Sequence, residues 1–169
     1  MKAFRNSYPA YLFLYSFYFM STALFTTLIS VYLIGRQYSA SQVSNLVSTA
    51  FFLSMITQPL FGYINERFGI VKITTLSLGV LMAGVGGFIW APNFFWLTIF
   101  YGLVLLCLNG TAPMMEILAT QSPYAFGKIR VWGTLGYAAG AHLAGWLYAH
   151  LSPQSVYYCV LVTILLSFF

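Results

Sequence analysis

Only two of the 169 residues are acidic, Glu66 and Glu116. Glu116 follows an uncharged run that opens after Lys72, and Lys128 and Arg130 then open a second run that lasts to the end of the chain. A carboxylate inside a membrane span costs about 2.5–3.5 kcal/mol at the centre, so it normally faces protein or water and has a partner. Arg130 is the obvious partner. A guanidinium beside a carboxylate offers planar, two-pronged donors on one side and acceptors on the other. Together they suit a polyol, with an aromatic such as Tyr137 supplying an apolar face. The competing reading is interfacial: Glu116 near the inner end of one helix, and Arg130 at the start of the next as an inside-positive anchor. Composition and spacing leave both readings open.

The helices that must present these groups follow from periodicity. At about 100° per residue, Thr98, Gly102, Leu105, Asn109, Ala112 and Glu116 share a face. Pro113 removes a backbone hydrogen bond and predicts a kink that frees carbonyls near Asn109. On the following helix Arg130, Thr134, Tyr137, Ala141 and Tyr148 share a face. Gly133, Gly136 and Gly140 form an adjacent stripe suited to close packing, and Trp132, Leu135 and Trp146 lie opposite, toward lipid. His142 falls about 120° from Arg130, off that face, and is expected to be a structural, hydrogen-bonded histidine. His150 belongs at the outer interface. Near the N-terminus, Tyr8, Tyr11, Tyr15, Thr22 and Thr26 line one side of a helix, either for aromatic packing or as a cavity wall.

Composition agrees with a chain built for lipid. Hydrophobic residues make up 60% and charged residues 5%, with a mean hydropathy of +0.84, whereas soluble domains carry about a quarter charged residues. A span takes roughly 20 apolar residues, so the length admits about six. The reading is an all-α membrane protein of six transmembrane helices, at about 9–34, 41–65, 70–90, 94–118, 128–150 and 153–169. Ser39 and Gln42 predict a capping box opening the second helix. Gly69 suits a helix stop, with Glu66, Arg67 and Lys72 keeping that turn in water. Gly79, Gly84, Gly86 and Gly87 are assigned to packing of the third helix. The first apolar run is too long for a signal sequence and has no small-residue cleavage site. The sixth helix stops without a flanking charge, as in a truncated chain.

Charge gives the orientation. Lys2, Arg5, Arg67, Lys72, Lys128 and Arg130 fall on one side of the six-span arrangement and Arg36 alone on the other, which places the N-terminus in the cytoplasm. The scattered basic residues argue against nucleic acid as a partner. Cys107 and Cys159 show neither disulfide nor metal spacing. No nucleophile set, metal cluster or phosphate-cradling loop is present, so neither an enzyme nor a cofactor is expected.

The segment QPLFGYINERFGIVK (58–72) resembles the loop between the second and third helices of the major facilitator superfamily, with Glu66 where aspartate is usual and Ile70 and Val71 at positions often basic. The resemblance implies a cytoplasmic gate role for Gly62, Glu66, Arg67, Gly69 and Lys72. LNGTAPMME (108–116) and FGKIRVWGTLGY (126–137) are similar to the sugar-binding segments of the oligosaccharide:proton symporter branch. That likeness implies Glu116 and Arg130 as sugar contacts, Tyr137 in place of a stacking tryptophan and Thr134 in place of a nearby cysteine, with Asn109 on the same face as Glu116. It also implies an N-terminal six-helix bundle whose C-terminal partner bundle lies outside this chain. The function expected is secondary active import of a sugar, oligosaccharide or related polar solute across the cell membrane (the inner membrane), coupled to protons and carried out by rocking about a midplane site. Two alternatives stay open, an efflux permease for apolar compounds and a membrane scaffold without a solute.

Overall fold

Backbone polar groups in lipid must be satisfied internally, which leaves a long apolar run little choice but helix. The computed structural model describes residues 7–167, and every regular element within them is helical. In order these are α1 (Tyr8–Thr26), α2 (Ile29–Gly35), α3 (Ala40–Phe68), α4 (Ile70–Ile89), α5 (Phe94–Thr120), α6 (Phe126–His150) and α7 (Ser155–Leu166). Lys2 and Arg5, which contribute to the charge asymmetry, lie outside the described residues, as does the end of the expected sixth helix. Tyr8–Gly35, Ala40–Phe68, Ile70–Ile89 and Phe94–Thr120 are long and apolar enough to cross a membrane. With 25 residues, α6 has the length, but its glycines, Lys128 and Arg130 dilute its apolar character. Over the described residues α7 is apolar but has 12 residues.

The expected first helix, 9–34, is interrupted at Thr27 and Leu28. Three threonine hydroxyls cluster at the break: Thr22, Thr26 and Thr27 donate to the carbonyls of Tyr18, Thr22 and Ala23 at 3.0, 2.8 and 2.6 Å. Such back-bonding competes with the helical ladder and bends it.

Two compact units make up the chain, one from Met1–Leu28 with Met115–Phe169 and one from Ile29–Met114. In the first, α1 packs against α6 and α7. The glycine stripe makes the α1–α6 approach possible. A Cβ on Gly140 would stand 2.6 Å from the Met20 carbonyl oxygen, and one on Gly136 would overlap the Ser16 carbonyl. Ser16 Oγ donates to the Trp132 carbonyl at 3.3 Å. On the other side of α1, Ser21 donates to Thr163 at 2.8 Å, both buried.

Within Ile29–Met114, α3 opens on the expected capping box: Gln42 N–H donates to Ser39 Oγ at 3.2 Å, and Ser39 N–H donates to Gln42 Oε1 at 2.9 Å. Gly110 lets Phe61 close on α5, where an added Cβ would sit 2.7 Å from the ring. Of the four α4 glycines, Gly84 and Gly87 accept Val104 and Phe100 of α5. Among the described residues Gly79 has nothing within 4 Å and Gly86 meets only Trp90, of its own helix end, so neither takes part there in the packing expected of it. α5 stays helical through Pro113.

At the α3–α4 junction the helix persists to Phe68, beyond the expected end near 65. Nothing before Gly69 breaks it, so Glu66 and Arg67 sit on its last turn rather than in a loop. A helix of 29 residues is about 44 Å long at ~1.5 Å per residue. The hydrocarbon core is roughly 30 Å thick, so α3 has length to spare for a charged end. Gly69 alone makes the turn, with φ 89° and ψ 137°, a region open to glycine and strained for other residues. Gly69→Ala is therefore expected to cost about 1–3 kcal/mol. Gly62→Ala, in open space within a helix, should be neutral or stabilising by up to ~1 kcal/mol. Thermal unfolding of the two variants in detergent checks the contrast.

Candidate functional site

The acid and the base meet. An Arg130 Nη1 hydrogen bond to Glu116 Oε1 joins the last part of α5 to the second turn of α6. Their side chains are 48% and 52% exposed, so the pair stands at a surface rather than in a core. Three features hold it there. The α5–α6 turn is closed by Ser122 Oγ, which donates to Ala119 O at 2.7 Å and accepts from Tyr124 N–H at 3.3 Å. Tyr124 in turn packs edge-on against Tyr8 and Tyr11, at 5.1 and 6.1 Å between ring centres. The guanidinium carbon of Arg130 lies 5.7 Å from the centre of the Phe126 ring, one turn back.

Beside the pair is a cleft of about 220 Å³ lined by Phe19, Arg130, Gly133, Thr134 and Tyr137. Arg130, Thr134 and Tyr137 thus come together on one face of α6, as their spacing predicts. Among the described residues Thr134 Oγ1 has only a long contact, 3.5 Å, to the Arg130 carbonyl. Tyr137 is exposed and offers a ring face. Trp132, Leu135 and Trp146, on the other side of α6, are exposed as well.

Asn109 lies in the other unit. Its amide donates to Ser54 Oγ at 3.0 Å, joining α5 to α3. Gly62, Glu66, Arg67, Gly69 and Lys72 are all exposed around the α3–α4 junction. Among the described residues Glu66 makes no ion pair, and the Arg67 guanidinium rests over Phe68 at 5.6 Å. The structural role expected of His142 needs correction: it is exposed and has no hydrogen-bond partner among the described residues, because α1 packs on the glycine stripe and leaves this face of α6 open. His150 Nδ1 donates to the Trp146 carbonyl at 3.0 Å, and its ring stacks on that indole. Cys107 is buried and Cys159 partly so, and both are free thiols.

Sequence reasoning had not placed Phe19 or Phe126 at the site. Phe19 is four residues from Tyr15 and shares its helix face, which was the available signal. As for the tyrosine face of α1, Tyr8 and Tyr11 pack on Tyr124, and Tyr15 packs on Phe19 with ring centres 5.4 Å apart.

The family profile described as MFS_1 like family matches residues 8–169. The chain belongs to that family. This MFS_1-like chain is a multi-pass membrane protein of the major facilitator superfamily, in agreement with its long apolar helices. It is similar to the sucrose permease of Escherichia coli, 27% identical over 171 residues that cover 93% of this chain and 41% of the permease. It is also similar to the maltose permease of Geobacillus stearothermophilus, 27% identical over 173 residues, covering 95% of this chain and 42% of that protein. The chain therefore spans about two fifths of the length of these relatives.

Proposed function

We propose that this chain is the N-terminal half of a secondary transporter for a sugar-like solute, with Glu116, Arg130, Thr134 and Tyr137 contacting the solute. The observation that carries the reading is the half-exposed Glu116–Arg130 pair at the edge of the α6 cleft. Half exposed, the pair offers a carboxylate and a planar donor fork to anything that enters. Thr134 adds a hydroxyl and Tyr137 an apolar ring face, so the α6 wall matches both faces of a sugar ring. At about 220 Å³ the cleft is smaller than the roughly 300–1,000 Å³ of a full ligand pocket. It covers one side of a solute, and a second six-helix bundle would cover the other. Asn109, engaged with Ser54, supports its own unit.

In this reading the two bundles rock about the bound solute, exposing it to each side in turn, and protons supply the driving force. The exposed Gly62, Glu66, Arg67, Gly69 and Lys72 form part of the cytoplasmic gate. The N-terminus lies in the cytoplasm and the protein in the cell membrane. No covalent step is needed.

The test uses the full-length protein with Cys107 and Cys159 replaced and a single cysteine at Thr134. Sucrose and maltose, the solutes in the relatives' names, serve as probes. Thiol labelling at position 134 should slow several-fold when one of these sugars is present. Labelling slowed by apolar compounds and by neither sugar would turn the reading toward efflux. A rate that no solute alters would favour a scaffold.

A further inference from the structure

Of the five described residues that line the cleft, Phe19 alone comes from α1. Its ring is held from two sides. It rests on Gly133 of α6, where an added Cβ would stand 2.8 Å from Phe19 Cδ2 and 3.1 Å from Cε2. On α1 itself Tyr15 lies 5.4 Å away between ring centres, and Tyr18 lies 5.3 Å away, edge-on. Those two tyrosines are 0% and 1% exposed, so neither has room to give way. Phe19 is only partly covered, and the cleft takes surface that its neighbours leave open.

The place of this ring along α6 decides what it does. Gly133 is three residues after Arg130 and four before Tyr137, so it neighbours both on one side of the helix. Phe19 therefore meets α6 between the charged end of the site and its aromatic end. A benzyl ring neither donates nor accepts a hydrogen bond. A solute hydroxyl pressed against it gives up water and gains no partner, which is costly. A patch of C–H groups loses nothing there and gains burial and dispersion. Because the ring is wedged, it also limits how far any group can enter.

We infer that Phe19 is a specificity-determining residue of this site: seated on Gly133 and backed by two buried tyrosines, it fixes the depth of the cleft and requires the solute to turn a C–H patch toward α1. The inference rests on the solute-site reading above and deepens it. That reading drew its contacts from α5 and α6 and used hydroxyl recognition and one ring face. The α1 wall adds a selection for sugars that expose carbon beside their hydroxyls, and a limit on the size of the group placed there.

The experiment compares full-length wild type, Phe19→Ala, Phe19→Leu and Glu116→Gln. The probes are sucrose and maltose, together with methyl and phenyl α-glucoside, which share a sugar and differ in one apolar group. Phe19→Ala should weaken sucrose and maltose binding roughly tenfold, the scale of a small mismatch in an apolar pocket. It should also raise the preference for the phenyl over the methyl glucoside by about tenfold, because the phenyl group occupies the space left behind. Phe19→Leu keeps part of the volume and should shift that preference the same way by about threefold; it supplies the reading if Phe19→Ala does not fold. A residue that only packs α1 on α6 would lower all four affinities alike, together with the melting temperature. A phenyl-to-methyl preference within about twofold of wild type in the folded variant therefore overturns the inference. If the preference stays so while Glu116→Gln weakens sucrose or maltose binding, only this inference fails. If Glu116→Gln also binds both sugars as wild type does, the solute-site reading fails with it.

Discussion

On the solute-site reading proposed above, Glu116→Gln should cut the affinity of the full-length protein for sucrose or maltose by a hundredfold or more while leaving folding nearly untouched. The asymmetry follows from where the pair sits. Both side chains are about half exposed, and exposed ion pairs contribute about 0–1 kcal/mol to stability, so the melting temperature should move little. A hydrogen bond from a solute hydroxyl to a charged group is worth roughly 1.5–3 kcal/mol. A carboxylate that accepts two of them loses both in their charge-assisted form when it becomes an amide. Arg130→Lys should fall in the same range for a different reason. It keeps the charge but replaces a planar fork with a point donor, and it gives up the wide face that lies over Phe126. Isothermal titration with sucrose and maltose, alongside thermal unfolding, separates the two effects. Affinities within threefold of wild type in both variants would leave Glu116 and Arg130 as an interfacial anchor. Variants that fail to fold would make the pair structural.

The helices were legible because their determinants are local. Uncharged runs, the Ser39–Gln42 cap and the Gly69 stop each act within a few residues, and all three stand in the structure. The α6 part of the site was legible for the same reason, since Arg130, Thr134 and Tyr137 share a face through helical periodicity alone. What escaped was set by contacts between helices. Which of the four α4 glycines pack depends on Val104 and Phe100 of α5, and periodicity within α4 is blind to that. Phe19 reaches the cleft because α1 crosses the glycine stripe of α6 at close range. The break at Thr27 coincides with three hydroxyls turning back onto their own helix, a rotamer choice that residue type permits without requiring. His142 was misread for a related reason: its angle from Arg130 was right, but what covers that angle is decided by the neighbour.

The close approach of α1 and α6 sets the second large expectation. Gly136→Ala adds one methyl group, and its Cβ would overlap the carbonyl, carbonyl carbon and Cα of Ser16. Backbone has no rotamer by which to yield, so one helix must move off the other. Overpacking typically costs 1–3 kcal/mol, and a clash with main chain belongs at the upper end, about 3 kcal/mol. Membrane helices associate largely by such close contact between small residues, so the loss is not repaired by burial elsewhere. Gly145→Ala is the control on the same helix: nothing lies within 4 Å of its added Cβ, and alanine should favour the helix by up to about 1 kcal/mol. Thermal unfolding of the full-length protein in detergent should therefore show a drop for Gly136→Ala and no loss for Gly145→Ala. Because Gly133, Thr134 and Tyr137 flank the same contact, the displaced α6 should also open the cleft and weaken sugar binding. Sugar affinity should then fall together with stability in Gly136→Ala, whereas Glu116→Gln loses affinity alone. If Gly136→Ala melts as wild type does, α1 and α6 are not in this contact, and the wall that holds Arg130 toward the cleft is built some other way.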